Sequence, residues 1–454
     1  MKKIIYFYMM FLCMLFLCMI SSSANAGMRA IDLFGGNSQG IAYGVIWDQN
    51  ADTYQIGTVA NSIFTEEAVT SWPIQEQMRR VILTDGGTVA YYLCSSDSTL
   101  KENCSTAAVL DGTDGQVMVQ IPVFHYIQAR SGDYRYFFVG ESSFQLTLAD
   151  SSIENSIIHP AFTKAGSQVD YRYIGAYQGT MYDDSASAMV APGNVHINGY
   201  ASGDKLCSIT GNYPKTSETR AEFRAMAEQR GTGWHHMDAY TYSIVSVLYL
   251  TEYASFYSQS EIGNGRTALS GGTWIAGETG AGGYIGITGT SNGDGNVTNN
   301  VSAGGSIASS QSGDYMTYRG IENWWGNVWQ FLDGINIHNS SANGSRLYLA
   351  GDYTDFADDT DTNYTLAGSL AQADGYATDV IDFTGIWPSS TGGSSSTYLT
   401  DYYYTHFDND NDSGWRVALV GGDAGFGASA GAFCVALNYS SSGSETTIGG
   451  RLCF

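Results

Sequence analysis

Two stretches of the chain place metal-ligating residue types side by side. His235-His236 with Asp238 offers two imidazoles and a carboxylate. Adjacent histidines diverge at a helix start, and no third ligand follows at helical spacing, so Asp238 is expected to cap a helix rather than bind a metal. Asp408-Asn409-Asp410-Asn411-Asp412 alternates carboxylates as some calcium loops do. An EF-hand loop would put Gly sixth and Glu twelfth, where Ser413 and Leu419 stand. Asp355, Asp358, Asp359 and Asp361 form a second acidic patch. Either could hold a structural calcium ion, but solvated turns are the expected reading, and no other metal or cofactor is implied. GxSxG, HExxH and phosphate-cradling loops are absent, and nothing brings a Ser and a His together. No catalytic residue is assigned. Trp324, Trp325 and Trp329 could stack on a sugar, but the alternation around Val328 predicts buried core.

The elements that would position these residues follow from composition and pattern. With 454 residues there is room for two or three domains. Charged residues are only 14%, whereas Gly (55) and Tyr (32) are abundant, a profile of many short strands and turns rather than a helical bundle. Strands are predicted at Tyr54–Gly57, Val81–Leu83, Val89–Leu93 (after an Asp85-Gly86-Gly87 turn), Val117–Pro122, Tyr134–Val139 and Ser143–Leu148, the last three as a meander. Helices are predicted from about Ser217 to Gln229 and from Met237 or Asp238 to Phe256, the second apolar on more than one face and so deeply buried. Residues 264 to 315 are rich in Gly, Ser and Asn and predict a folded loop region with short strands such as Gly283–Ile287.

Lys2-Lys3, an apolar run from Ile4 to Ile20 and Ala24-Asn25-Ala26 read as an export signal cleaved before Gly27; an uncleaved anchor is the alternative. Loss of Lys2 and Lys3 leaves 18 basic against 44 acidic residues, a net charge near −26. Such a chain is a poor partner for nucleic acid or an anionic membrane surface, and no membrane insertion of the mature chain is expected. Localisation is expected at the cell surface, in a periplasm or outside the cell. Of the cysteines beyond the signal, Cys94 and Cys104 flank a short polar loop and suit a disulfide in an oxidising compartment. Cys434 and Cys453 could bridge if their strands pair, which would leave Cys207 over.

The segment Gly414–Phe454 is the most informative. A Trp-Arg-Val strand runs into Gly421-Gly422, then a loop of Gly, Ala and Ser carrying Asp423 and Phe426, then a strand from Ala432 to Leu437 and a close on Gly449-Gly450-Arg451. Together with Asp114–Pro122, His159-Pro160-Ala161-Phe162, Tyr173–Tyr177, Arg230–Trp234 and Arg319–Trp329, it resembles the variable proteins of diversity-generating retroelements and related phage tail proteins. The resemblance implies an α+β C-type lectin fold of the formylglycine-generating-enzyme type over residues 116–454, behind a signal peptide (1–26) and a small β-rich region (27–115). It implies a non-enzymatic, exported ligand-binding or adhesion protein whose segment 414–454 is rewritten at adenines. The partner would be an unknown protein or cell-surface ligand. A phage-tail-type receptor-binding protein is one alternative. A formylglycine-generating-like oxidase is another, disfavoured because Ser429 stands where the partner of Cys434 in a copper-binding pair is expected.

In that family an AAC template codon limits the outcomes at variable positions. The resemblance places such positions at Asp423, Gly425, Phe426, Ser429, Ala436, Tyr439, Gly443 and Thr447, whereas Glu445 does not fit an AAC origin. Val417, Leu419, Phe433, Val435, Leu437 and Leu452 would hold the scaffold by alternating burial, with Phe426 and Tyr439 as aromatic anchors of a binding face.

Overall fold

The computed structural model describes residues 41–191, 198–268, 285–302, 314–405, 407 and 413–454. The export signal, the Asp408–Asp412 stretch and the start of Gly283–Ile287 lie outside these residues. Residues 40–454 form one compact unit.

Three sheets dominate. A six-stranded sheet runs in the order Ile157–Ile158, His125–Ser131, Tyr134–Gly140, Ala42–Asp48, Thr53–Ala60 and Ile63–Glu66. A seven-stranded sheet runs from His235–His236 through Leu452–Cys453, Tyr171–Gly175, Gln116–Pro122 and Arg79–Leu83 to Val89–Cys94 and Asp97–Lys101. The nine-stranded sheet is built from residues 329–449, with Trp329–Ser340 flanked by Gly344–Ala350 and Gly414–Val420. Strands from either side of residue 115 therefore share sheets, as Arg79–Leu83 and Gln116–Pro122 do.

The expected α+β lectin-type fold is corrected by this architecture: the described residues are mostly β, with 41% strand and 12% helix. The physical reason lies in the side chains. Gly, Ser, Thr, Asn and Tyr favour strands and turns over helix interiors, and the two predicted helices cover only Arg220–Glu228 and Ala239–Tyr253. The predicted meander is corrected too. Tyr134–Gly140 pairs with His125–Ser131 and Ala42–Asp48 instead of Gln116–Pro122.

The helix Ala239–Tyr253 starts where expected. The carboxylate of Asp238 accepts from the N–H groups of Tyr240 and Thr241, both at 2.9 Å, satisfying two of the orphan donors of the first turn. Its apolar residues surround the axis, and it touches strands of both the six-stranded and the nine-stranded sheet. The shorter helix carries a complete capping box between Thr219 and Glu222. Its Arg220 and Arg224 bind Asp333 and Asp358, with Arg224 Nε 2.7 Å from Asp333 and Nη2 2.7 Å from Asp358. Part of the second acidic patch is thus tied to arginines.

Cys94 and Cys104 form a disulfide. Cys434 and Cys453 do not: both are free and buried. Their strands belong to different sheets, because Val435–Tyr439 pairs with Gly414–Val420 and Tyr402–Tyr404, whereas Leu452–Cys453 pairs with Tyr171–Gly175 and His235–His236.

Candidate binding face

The segment Gly421–Gly431 is a loop whose backbone is fixed from outside itself. Gly421 and Gly422 both have positive φ, and a Cβ on Gly422 would lie 2.8 Å from that of Ala430, so the turn needs glycine. The N–H of Ala424 donates to the carbonyl of Asn327 (3.2 Å) and that of Gly427 to Thr267 (2.8 Å). Gln259 Nε2 donates to the carbonyls of Gly427 (2.8 Å) and Ala430 (2.6 Å). Beneath the loop, Ser258 Oγ donates to the Asp401 carboxylate (3.0 Å) and accepts from the N–H of Ala432, while the same carboxylate accepts from the N–H of Phe433 (2.9 Å). Main-chain groups carry nearly all of these bonds, so side chains of the loop are little used in fixing it.

On the loop sits Phe426, half-buried, edge-on to Trp329 at 4.7 Å between ring centroids and to Tyr404 at 5.4 Å. The contacts continue from Tyr404 to Tyr402 (4.5 Å) and from Tyr402 to Tyr376 (5.1 Å). Tyr402 and Tyr404 point to one side of their strand, while Tyr403 between them is buried in the core on the other. The result is a row of partly exposed rings along the nine-stranded sheet. On other strands of the same sheet, Trp415 packs against His338 (4.6 Å) and Tyr348 (5.8 Å). Tyrosine and tryptophan supply rigid amphipathic contact area at low entropic cost, as paratopes do.

The positions expected to vary fall around this row. Gly425 is exposed, and Phe426, Ser429, Tyr439, Gly443 and Thr447 are partly exposed. Tyr439 pairs with Val417, Gly443 packs near the Tyr439 ring, and the carbonyl of Thr447 accepts from the N–H of Trp329. Asp423 and Ala436 are not on the surface: they are 6% and 3% exposed. Ala436 pairs with Leu419 on one side and Tyr404 on the other. The alternation argument assumed a sheet covered on one face only. At Val435–Leu437 both faces are buried, and the expected scaffold residues Val417, Leu419, Phe433, Val435, Leu437 and Leu452 are buried as well. The row Tyr376, Tyr402 and Tyr404 was missed by sequence reasoning; the run Tyr402-Tyr403-Tyr404 suits a strand, but three like residues in a row do not say which face is covered.

The other candidate chemistry is structural in its contacts. Trp324 and Trp325 are buried, and Trp329 is 5% exposed. The imidazole of His235 lies between Arg172 (Nη2 to Nε2, 2.7 Å) and the Gly233 carbonyl (Nδ1 to O, 3.0 Å). It is held neutral, chiefly by burial and then by that guanidinium. Cys434 is buried with its thiol pushed up by desolvation, and Ser429 sits in a short 3-10 turn. Among the described residues no group of three or more His, Cys, Asp or Glu is placed to hold a metal.

Two buried carboxylates underlie the face. Desolvation raises both Asp423 and Asp401 to about 7, against hydrogen bonds from Gly425 and from Phe433 and Ser258 that lower them. In the unfolded chain such groups ionise near 4. Between about pH 4 and 7 the folded protein therefore holds protons that the unfolded chain has lost, so this contribution to stability falls as pH rises through that window. Asp423→Asn, which can keep the bond from the Gly425 N–H, should gain stability relative to the parent by a few kcal/mol from pH 4 to pH 7. Urea unfolding of both proteins at the two pH values measures it; a gap independent of pH would refute the assignment. Compared with known proteins, the chain matches no family model and no curated protein.

Proposed function

We propose that this is an exported ligand-binding or adhesion protein that contacts its partner through the aromatic row and the Gly421–Gly431 loop, and that the loop side chains are diversified. The observation that carries the reading is the division of labour in the loop. Its path is fixed by main-chain bonds to Asn327, Thr267 and Gln259, and the residues that follow it, Ala432 and Phe433, are held by Ser258 and Asp401. Gly425 and the side chains of Phe426 and Ser429 are at least partly exposed. A surface built this way keeps its shape while its chemistry changes. The resemblance to retroelement variable proteins supports diversification, and it enters without the lectin-type scaffold. Six of the eight expected variable positions accord with it; Asp423 and Ala436 would vary only among residues that fit a buried site.

No helix among the described residues is long and apolar enough to cross a membrane. Export rests on the Lys2-Lys3 start, the apolar run and Ala24-Asn25-Ala26. Mass spectrometry of envelope protein should find Gly27 at the N-terminus; an intact Met1 would point to an anchor. The decisive test of diversification is the neighbouring DNA. A near-copy of the codons for 414–454, differing at adenines and lying beside a reverse transcriptase gene, is expected. A flanking region with neither would remove diversification while leaving the aromatic face open to a binding assay.

A further inference from the structure

A cavity of about 320 Å³ lies apart from the aromatic row, open to solvent and lined by Asp85, Asp111, Gln116, Lys205, Cys207 and Arg230 among others. Arg230 is locked in place. Its Nε donates to the carbonyl of Leu206 (2.5 Å), Nη1 donates to Asp85 (2.5 Å), and Nη2 lies 2.9 Å from the sulfur of Cys207. That cysteine is free, and it ends the strand Lys205–Cys207. Gln116 is 2% exposed and uses its Oε1 to accept from the N–H of Ser208 (2.8 Å). Its Nε2 donates to no described residue, and the side chain lines the cavity wall. The Lys205 ammonium also has no partner among the described residues, and the carboxylate of Asp111 stands at the rim. The cavity thus offers donors and a cation for a carboxylate, carboxylates for an ammonium, and a sulfur in contact with a guanidinium.

We infer that this cavity binds a low-molecular-weight disulfide built from amino acids, of the cystine or oxidised glutathione kind, and that Cys207 forms a mixed disulfide with it. The ligand's carboxylate meets Lys205 and the Gln116 amide, and its ammonium meets Asp111. The thiol of Cys207 gives its proton to solvent, and the sulfur attacks one sulfur of the ligand. The ligand's S–S bond breaks as the new Cys207 S–S bond forms. The other half leaves as a thiolate and takes up a proton. The ligand is the only oxidant required. Exchange proceeds through the thiolate, and the Arg230 guanidinium lies against the attacking sulfur. Cys207 is itself only 3% exposed, but it lines the cavity; Cys434 and Cys453, both 0% exposed, do not line it and serve as internal controls. The inference is independent of the binding face.

The test incubates the purified full chain with oxidised glutathione and, separately, with the uncharged bis(2-hydroxyethyl) disulfide, followed by intact mass and peptide mapping. One adduct is expected, on Cys207 and on neither Cys434 nor Cys453. Relative to the ratio of the two rates with free cysteine, the protein should favour the charged disulfide by about fivefold, the scale of one exposed ion pair. Lys205→Ala should erase that preference while leaving the uncharged reagent's rate unchanged, and Cys207→Ser should abolish the adduct. An unmodified Cys207, adducts spread evenly over the three cysteines, or a Lys205→Ala variant slowed equally with both reagents would overturn the inference.

Discussion

Arg451→Ala is expected to leave the protein unable to fold. The guanidinium is fully buried and joins three distant segments: Nε donates to Gln330 Oε1 (2.7 Å), Nη1 to the Gly175 carbonyl (2.8 Å), and Nη2 to the carbonyls of Glu322 (2.8 Å) and Asn323 (2.9 Å). Burial draws its pKa down to about 9, so it is still charged at neutral pH. Truncation takes the guanidinium donors from Gln330 Oε1 and from the Gly175 and Glu322 carbonyls in a dry interior, at about 1–3 kcal/mol each, while the Asn323 carbonyl keeps longer bonds from Gln178 and Gln330 (both 3.4 Å). It also opens a cavity where the stem was. The sum is comparable to the whole stability of an ordinary domain, about 5–15 kcal/mol. Arg451→Lys should rescue little, because one ammonium cannot reproduce a planar fork aimed at separate carbonyls. Circular dichroism and urea unfolding of both variants measure this; an Arg451→Ala protein that melts within a few degrees of the parent would contradict it.

The second large effect separates core from face. Phe433 is 1% exposed and packs edge-on against Phe256 (5.0 Å) and Tyr249 (5.6 Å). Phe433→Ala should cost about 3–5 kcal/mol. Phe426 sits on a loop fixed by main-chain bonds, with its ring in contact with Trp329 and Tyr404 only along one edge of the row. Phe426→Ala should therefore cost much less, about 1 kcal/mol. Its effect should fall on partner binding, where such an aromatic often contributes more than ~1 kcal/mol. Thermal melts of the two variants, with binding measured on whichever folds, decide the matter. If Phe426→Ala melts as low as Phe433→Ala, the loop side chain belongs to the core and the binding face is elsewhere.

Local signals in the chain were legible, and long-range ones were not. Asp238 read as an N-cap because capping depends on its own neighbours, and it caps the helix Ala239–Tyr253. The burial of Trp324 and Trp325 and the Cys94–Cys104 bridge were equally local. Ala436 failed because period two says which residues share a face, not whether that face is covered. The partner of Tyr134–Gly140 failed for a related reason: the strand found Ala42–Asp48, far back in the chain, rather than its neighbour Gln116–Pro122. The aromatic row needed three segments, 376, 402–404 and 426, to be brought together, and no spacing announces that. The α+β expectation rested on the family resemblance, whereas the Gly- and Tyr-rich, charge-poor composition points by itself to many short strands, the balance the structure has.

The insertion of Leu452–Cys453 between Tyr171–Gly175 and His235–His236 has a kinetic consequence. The seven-stranded sheet closes only after segments far apart along the chain have met, so the contact order is high and folding belongs to the slow, millisecond-to-second class or beyond. Until closure, Tyr171–Gly175 has an unpaired edge that can capture other chains. For a protein read as exported, slowness is useful: a polypeptide that cannot complete its sheet early stays loose enough to be threaded across a membrane.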